Sequence, residues 1–396
     1  MANTHASYSA TKTTPRPPMN GHQSSEGTSI ARTKILLLGL RRSGKTSIKQ
    51  VLFNDLAPKQ TFYLEPTMRI EKHTLDTVIP LEIWDCPGNI TVETLGAPLS
   101  QFSSLIFVID IRDLYQQPIS KLVDFITAAY HEKPDLNLEV FVHKAEKLQE
   151  DDKIENFRQI DGRITDRLLD QSPNYQEMPI NFHLTSVYDH SLHEAFSRVL
   201  HKLIESLPYL EDLLNVFCAN SQSPKAFLFD TTSRLYVATD ASPVDSATHN
   251  LCCDYLHMLN SFGPLYKSTA TNSRRLQSPS QSALTPPPTT ASSSSSSVHH
   301  SLPTSPSSSH SLSPTSGATP ARAKELFYPS ASTTLSPSTS GTTLTYHLIT
   351  RQLALLALIP TAVYETRRGL VEYNVVFFRE GVQEICDVER ETRGGQ

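Results

Sequence analysis

The chain has little that would tie it directly to a membrane. No apolar run approaches the roughly 20 residues needed to span a bilayer. The longest, Leu353 to Ile359, has the length of a buried strand. The N-terminus lacks the apolar core of a secretory leader, and Met1-Ala2-Asn3 cannot be myristoylated. The terminal Arg393-Gly394-Gly395-Gln396 is no prenylation signal. A cytoplasmic chain without direct membrane insertion is therefore expected. Cysteine is scarce: five residues, odd in number and without metal-ligand spacing, exclude a disulfide framework and fit a reducing compartment. The adjacent Cys252-Cys253 reads as core packing. Positive charge is in deficit, with a net charge of −5, which excludes a general nucleic-acid binder.

What is abundant is proline, 27 residues, together with serine, and both are unevenly placed. Residues 1 to about 32 are rich in Ser, Thr, Asn and Pro without periodicity, and are expected to be a disordered tail. Residues 268–340 are more extreme, with Pro286-Pro287-Pro288, a serine run from Ser292 to Ser297 and repeated Ser-Pro steps. Such a segment buries too little apolar surface to offset its ordering entropy. It is expected to be a disordered insertion whose Ser-Pro and Thr-Pro steps suit proline-directed kinases.

Two blocks remain. In the first, 33–207, strand-like stretches (Ile35–Leu38, Met68–His73, Val78–Asp85, Leu105–Asp110, Leu138–His143, Asn181–Thr185) alternate with helix-like ones (Thr46–Phe53, Ser120–His131, Ile154–Leu169, His190–Leu207). That alternation predicts an α/β domain with a mainly parallel, doubly wound sheet and ligand at the carboxyl ends of its strands. The second block, 208–267 and 341–390, groups strands at Ala226–Asp230, Leu235–Thr239, Leu344–Thr350 and Leu353–Ile359 between helices. The last of those helices is expected from about Gly369 to Val388. This predicts a smaller α+β unit with an antiparallel sheet, interrupted by the Ser/Pro insertion.

The first block carries the chemistry. The apolar run Lys34–Leu38 feeds Gly39-Leu40-Arg41-Arg42-Ser43-Gly44-Lys45-Thr46, a G-x-x-x-x-G-K-[ST] loop opening a helix. Its glycines let backbone N–H groups turn toward phosphate oxygens, Lys45 adds a point charge at the β- and γ-phosphates, and Thr46 offers a hydroxyl to Mg²⁺. About 40 residues on, Ile83-Trp84-Asp85-Cys86-Pro87-Gly88 ends a strand in D-x-x-G. Asp85 is placed to hold Mg²⁺ through a water, and the Gly88 N–H to sense a γ-phosphate. Thr67, in the intervening Thr61–Thr67 stretch, is placed to close over the ion. Val142-His143-Lys144-Ala145-Glu146 leaves a strand where a guanine-specifying N-K-x-D would sit. A carboxylate there accepts hydrogen bonds from the N1–H and N2–H₂ edge of guanine, and the Lys144 stem can cover the base plane. Leu184-Thr185-Ser186-Val187 ends the last strand, where backbone N–H groups can meet guanine O6.

With G-L-R-R-S-G-K-T, T-x-x-L-E-x-T, I-W-D-x-P-G, H-K-x-E and L-T-S-V-Y-D-H-S in this order, the chain resembles a Rag-type GTPase of the C/D type, Gtr2-like in fungi. The resemblance covers both blocks and neither the tail nor the insertion. It implies a G domain followed by a roadblock (longin-like) dimerisation domain, with GTP or GDP as ligand and Mg²⁺ as cofactor. It implies that Arg42, Ser43, Gly44, Lys45, Thr46 and Ser47 contact phosphates, that Thr61 lies near the nucleotide and that Thr67 is the switch threonine. It implies that His143, Glu146, Ser186 and Val187 surround the base. It also implies a heterodimer with an A/B-type subunit, signalling of amino-acid sufficiency to target of rapamycin complex 1, and recruitment by a membrane-anchored scaffold to the cytosolic face of the vacuole or lysosome. A nuclear pool is compatible with it.

Two positions depart from a fast-cycling enzyme. Where a water-orienting Gln would follow the D-x-x-G glycine, this chain has Asn89, whose amide reaches roughly 1.5 Å less far. Arg41 stands where Ras-like enzymes have glycine. The expectation is slow hydrolysis, with Lys45 and Asn89 as its catalytic residues and a GTPase-activating protein supplying useful rates. The alternatives are a largely non-hydrolysing nucleotide-binding scaffold or a trafficking GTPase. The polar N-terminus lacks the apolar stripe that the latter's membrane attachment requires.

Overall fold

Thr33–Gly39 forms β1, and its residues Ile35 to Leu38 are at most 1% exposed, as a strand covered on both faces must be. The computed structural model describes residues 31–113, 116–262, 328–335 and 341–394. Around β1 a six-stranded sheet is built from β2 (Glu71–Asp76), β3 (Pro80–Asp85), β4 (Ser104–Asp110), β5 (Asn137–His143) and β6 (Ile180–Thr185), in the order β2-β3-β1-β4-β5-β6. All neighbours are parallel except the β2–β3 pair at one edge. The alternation of side chains along β1 assigns the helices to faces. Ile35 and Leu37 pack with α1 (Lys45–Phe53) and α4 (Ser191–His201), while Leu36 and Leu38 pack with α2 (Gln116–Glu132) and α3 (Glu150–Gln171).

The second domain opens with α5 (Leu207–Ser221). Its five-stranded antiparallel sheet runs β8-β7-β11-β10-β9, from β7 (Lys225–Asp230), β8 (Tyr236–Thr239), β9 (Ser330–Leu335), β10 (Thr342–Leu348) and β11 (Leu353–Pro360). One face carries α6 (Ser246–Phe262), packed through Cys252, Cys253 and Leu256. The other carries α5 and α7 (Thr361–Gly394). The apolar face expected from Gly369 onward belongs to this longer α7, which kinks at Arg367 (φ −125°, ψ 24°), two residues before that glycine.

The Ser/Pro-rich insertion needs a correction at its C-terminal end. The N-terminal tail through residue 30 and the insertion through residue 327 lie outside the described residues. Ser330–Leu335, however, is not structureless but an edge strand paired along its length with β10. Ladder hydrogen bonds come from the backbone, so the polar Ser-Ala-Ser-Thr-Thr-Leu sequence pairs as well as an apolar one at an edge open to solvent. Tyr328, just before it, lies 3.8 Å from the Arg379 guanidinium with its ring beneath it. Arg32, placed at the end of the tail, is tied to Asp76 at 2.6 Å.

The domains are joined by more than the chain. One hydrophobic cluster runs from Ile35 and Phe196 through Leu210, Leu228 and Leu355 to Phe378. Across the junction, Tyr236 N–H donates to Ser197 Oγ at 3.0 Å and His201 Nε2 to the Tyr236 carbonyl at 3.2 Å.

Candidate functional site

The carboxyl ends of β1, β3, β4, β5 and β6 converge on one cleft, of about 1180 Å³. At the end of β1 the chain must turn inside its neighbours, and two glycines permit it. Gly39 has φ 143°, and an added Cβ would lie 2.3 Å from the Val108 carbonyl oxygen. Gly44 has φ 111°, and its Cβ would lie 2.5 Å from the His143 ring. Between them Arg42 holds φ 65°, a costly conformation for a side-chain-bearing residue.

Lys45 and Thr46 open α1. The Lys45 side chain folds back over the loop, its Nζ donating to the carbonyls of Gly39 (3.0 Å) and Leu40 (2.9 Å). Burial pushes this ammonium down to about 8, with the Asp85 charge pulling the other way. Asp85 at the end of β3 is fully buried. Its Oδ2 accepts from Thr46 Oγ1 at 2.9 Å and lies 3.4 Å from Lys49 Nζ, while its Oδ1 has no partner. Thr67, carried in from the long α1–β2 connection, places its Oγ1 2.7 Å from that of Thr46. Two hydroxyls and one buried carboxylate therefore meet at a point, with one carboxylate oxygen unspent.

At the cleft's other end β5 delivers His143, Lys144 and Glu146. His143 is 1% exposed, with Nδ1 3.0 Å from Thr185 Oγ1. Burial, with Lys144 adding to it, pushes the imidazole down to about 3, so the ring that walls Gly44 is neutral. Lys144 sits at φ 65° and donates to the Arg42 carbonyl (2.5 Å) and to Asp110 Oδ2 (2.9 Å), bracing the phosphate loop against the end of β4. Glu146 accepts from Ser186 Oγ at 2.7 Å.

Every residue expected at the site lines this cleft except Ser43, Asp85 and Ser186, of which Asp85 and Ser186 are hydrogen-bonded to the lining residues Thr46 and Glu146. Thr61 lines it while its Oγ1 donates to the Pro58 carbonyl at 2.7 Å. Ser43 Oγ is buried without a partner. Gly88 packs so closely on the loop that an added Cβ would lie 2.3 Å from Arg41 N, and Asn89 lines the cleft beside it. One expectation is corrected. The Ser186 N–H, read as facing a base, is donated to Ser191 Oγ at 3.0 Å, and the Tyr188 N–H goes to Ser186 Oγ at 3.0 Å. The hydroxyls of Ser191 and Ser186 thus satisfy the backbone of this turn.

Asp110, Arg112, Lys147 and Tyr188 escaped the sequence reading. For Asp110 burial works to raise the carboxyl, but hydrogen bonds from Arg112 and Lys144 prevail and hold it at about 2. Its place at the end of an apolar strand, V-I-D, was the available signal. Lys147 Nζ lies 5.8 Å from the centroid of the Tyr188 ring, and both line the cleft beside Glu146. Neither belongs to a spaced motif.

A phosphate loop, a buried strand-end carboxylate facing two threonines and a second carboxylate at the far end define a G domain. The antiparallel α+β unit behind it is roadblock-like. The chain belongs to the Gtr1/RagA G protein family, whose conserved-region model matches residues 34–256. GTP-binding protein gtr2 of Schizosaccharomyces pombe is 42% identical over 237 residues, covering 59% of this chain and 75% of that protein. Ras-related GTP-binding protein C of Homo sapiens is 42% identical over 246 residues, 61% of each chain, so this chain spans about three-fifths of that relative. GTP-binding protein gtr1 of S. pombe is 25% identical over 226 residues, 55% of this chain and 71% of that protein. Within the family the chain is Gtr2-like, of the Rag C/D type.

Proposed function

We propose that this chain is the guanine-nucleotide-binding switch subunit of a Rag-type heterodimer, hydrolysing GTP to GDP slowly. The observation that carries the reading is the meeting of Thr46, Thr67 and the half-satisfied Asp85 at one end of a cleft whose other end holds Glu146. A buried carboxylate oxygen without a partner is costly unless a cation or water fills it. Hydroxyl and carboxylate oxygens, with no cluster of three or more His, Cys, Asp or Glu among the described residues, suit Mg²⁺, a hard ion that keeps much of its water. Thr46 and Thr67 would hold it directly and Asp85 through a water. An ion held by these residues would supply positive charge to offset the negative charge that develops on the phosphates.

The chain's own groups would do the rest. The N–H groups of Arg42 to Ser47 cradle phosphates, and Lys45 exchanges its two carbonyl partners for phosphate oxygens, which favour its charged form. Gly88 is the γ-phosphate contact, Thr61 lies near the nucleotide, and Asn89 positions water weakly because its amide stops short. Glu146, held by Ser186, accepts from the guanine edge, with Val187 N–H at O6, His143 walling the loop and Lys144 over the base. Thr67 comes from a connection with Phe62, Tyr63 and Met68 at least 80% exposed, so a loop held at one threonine can be released when the γ-phosphate leaves.

The second domain, with exposed Tyr209, Tyr373 and Phe377, fits pairing with an A/B-type subunit. Such a heterodimer would signal amino-acid sufficiency to target of rapamycin complex 1 from the cytosolic face of the vacuole or lysosome. No helix among the described residues is long and apolar enough to cross a membrane. Recruitment there would be by an anchored scaffold. A GTPase-activating protein would set the useful rate. A second reading, a nucleotide-binding scaffold that hydrolyses little, is favoured by Asn89 and by the Arg41 backbone packed on Gly88. The test is to purify the chain with its A/B-type partner, extract the bound nucleotide and weigh the complex. GDP or GTP in a one-to-one heterodimer is expected. ATP, or a stable monomer that ignores the partner, would overturn the proposal.

A further inference from the structure

The junction between the domains carries a group of titratable side chains that nucleotide binding does not use. His193 of α4 is 4% exposed, and neither ring nitrogen has a hydrogen-bond partner. A neutral imidazole offers one donor and one acceptor, and in this buried ring both are left unsatisfied, which is unfavourable. The His190 ring lies 5.5 Å away, its Nε2 on Asp254 Oδ1 of α6 at 2.8 Å. His249, fully buried on α6, lies 6.5 Å from His190, with Nε2 3.4 Å from Cys253 Sγ and Nδ1 unpartnered. Tyr236 of β8 packs 5.3 Å from it.

Arg234, in the turn between β7 and β8, locks the group together. It is 8% exposed, with one guanidinium nitrogen on His257 Nδ1 at 3.0 Å and another on Asp55 Oδ1 at 3.1 Å. A guanidinium can only donate, so His257 Nδ1 is the acceptor of this bond. The carboxylates facing the group are already engaged: Asp254 with His190, Asp55 with Arg234, and Glu194 of α4 with Arg198 at 2.5 Å. None of them is hydrogen-bonded to His193 or His249.

The location gives the group leverage. Asp55 follows α1 and begins the connection that carries Thr61 and Thr67, while His190 follows Ser186, Val187 and Tyr188 at the far end of the cleft. We propose that this histidine seam is an acid-sensitive latch between the two domains, closed while its imidazoles are neutral and released by their protonation, freeing the two loops that flank the cleft.

Burial, reinforced by Arg234, pushes His193 well below the ordinary histidine range, and burial pushes His249 down to about 4 against the pull of Glu194. Groups depressed in the closed state are neutral in both states above about pH 6.5, so the latch is then unaffected. Below that the open state takes the proton first, and closure weakens as pH falls.

Hydrogen exchange of the full-length chain, corrected for its intrinsic pH dependence, tests this between pH 7.5 and 5.5. Peptides from α4 and α6 should lose protection by about tenfold at pH 5.5 for each participating histidine, while those from α2 and α3 hold theirs. His193→Leu should reduce that loss by about tenfold. Asp254→Asn, on the exposed rim, removes a negative charge beside the group and should move the opening to higher pH. Equal protection at both pH values would overturn the proposal. So would a loss shared by α2 and α3, a full loss in His193→Leu, or an opening in Asp254→Asn that stays or moves to lower pH. If His193→Leu does not fold, the wild type and Asp254→Asn decide the matter.

Discussion

Replacing Asp110 by Asn tests whether the brace beneath the phosphate loop matters. Asp110 accepts from Lys144 Nζ at 2.9 Å and from Arg112 at 2.8 Å, and the same Lys144 Nζ donates to the Arg42 carbonyl. The fall of its carboxyl from the ordinary 3.8 to about 2 corresponds to about 2 kcal/mol at roughly 1.4 kcal/mol per tenfold. Arg112 is half exposed, and water screens its share, so about 1 kcal/mol is the usable figure. Because the folded-state carboxyl is depressed, this contribution is fully present above about pH 4 and is lost as pH falls through about 2. Asp110→Asn should therefore lower the urea midpoint at pH 7 by an amount equivalent to about 1 kcal/mol. It should also speed release of a fluorescent GDP about fivefold, since Lys144 loses the anchor that holds it against the loop. The two chains should converge in stability as pH approaches 2. Unchanged unfolding and unchanged release at pH 7 would refute the argument, and a stability gap that persists at pH 2 would refute its electrostatic basis.

Gly44→Ala must accommodate a Cβ 2.5 Å from the His143 ring at φ 111°. Overpacking of this kind costs about 1–3 kcal/mol, so GDP affinity by calorimetry should fall at least about fivefold with the far-ultraviolet dichroism unchanged. Lys45 is held at about 8 before phosphate arrives, which makes it a cation below that pH and neutral above it. Nucleotide affinity should accordingly decline as pH rises from 7.5 to 9.5, and Lys45→Arg, which stays charged, should flatten the decline. Asn89→Gln should raise single-turnover GTP hydrolysis if the short amide limits the rate, and no change with or without the partner subunit would favour the scaffold reading. Gly88→Ala, whose Cβ would meet the Arg41 backbone at 2.3 Å, should slow exchange of GDP for GTP without preventing GDP binding, measurable by stopped-flow fluorescence.

The glycines at 39 and 44, the lysine and threonine after them, the D-x-x-G strand end and the H-K-x-E strand end were legible because each is a local pattern with its chemistry in adjacent residues. The alternation of apolar strands with amphipathic helices likewise carried the α/β class, since period and burial are properties of short windows. Other features were not local. Asp110 joins the site through β4 lying beside β5, a register that brings residues 34 positions apart within hydrogen-bonding distance. The Ser186 N–H is taken by a hydroxyl five residues on, which no motif shows. Ser330–Leu335 is a strand because β10 offers it an edge, and its composition alone argues the opposite.

The sequence by itself determined that a glycine-bounded loop opens a helix at Lys45, that a strand ends in H-K-x-E further on, and that an antiparallel α+β unit comes after, because these follow from steric freedom, charge and periodicity within short spans. Only the tertiary structure decided that Asp85 keeps one oxygen unspent beside two threonines, that Lys144 braces the loop through Asp110, and that four histidines and an arginine close the seam between domains. Those arrangements depend on which distant segments share a face. That is set by the packing of the whole core and by no window of the chain.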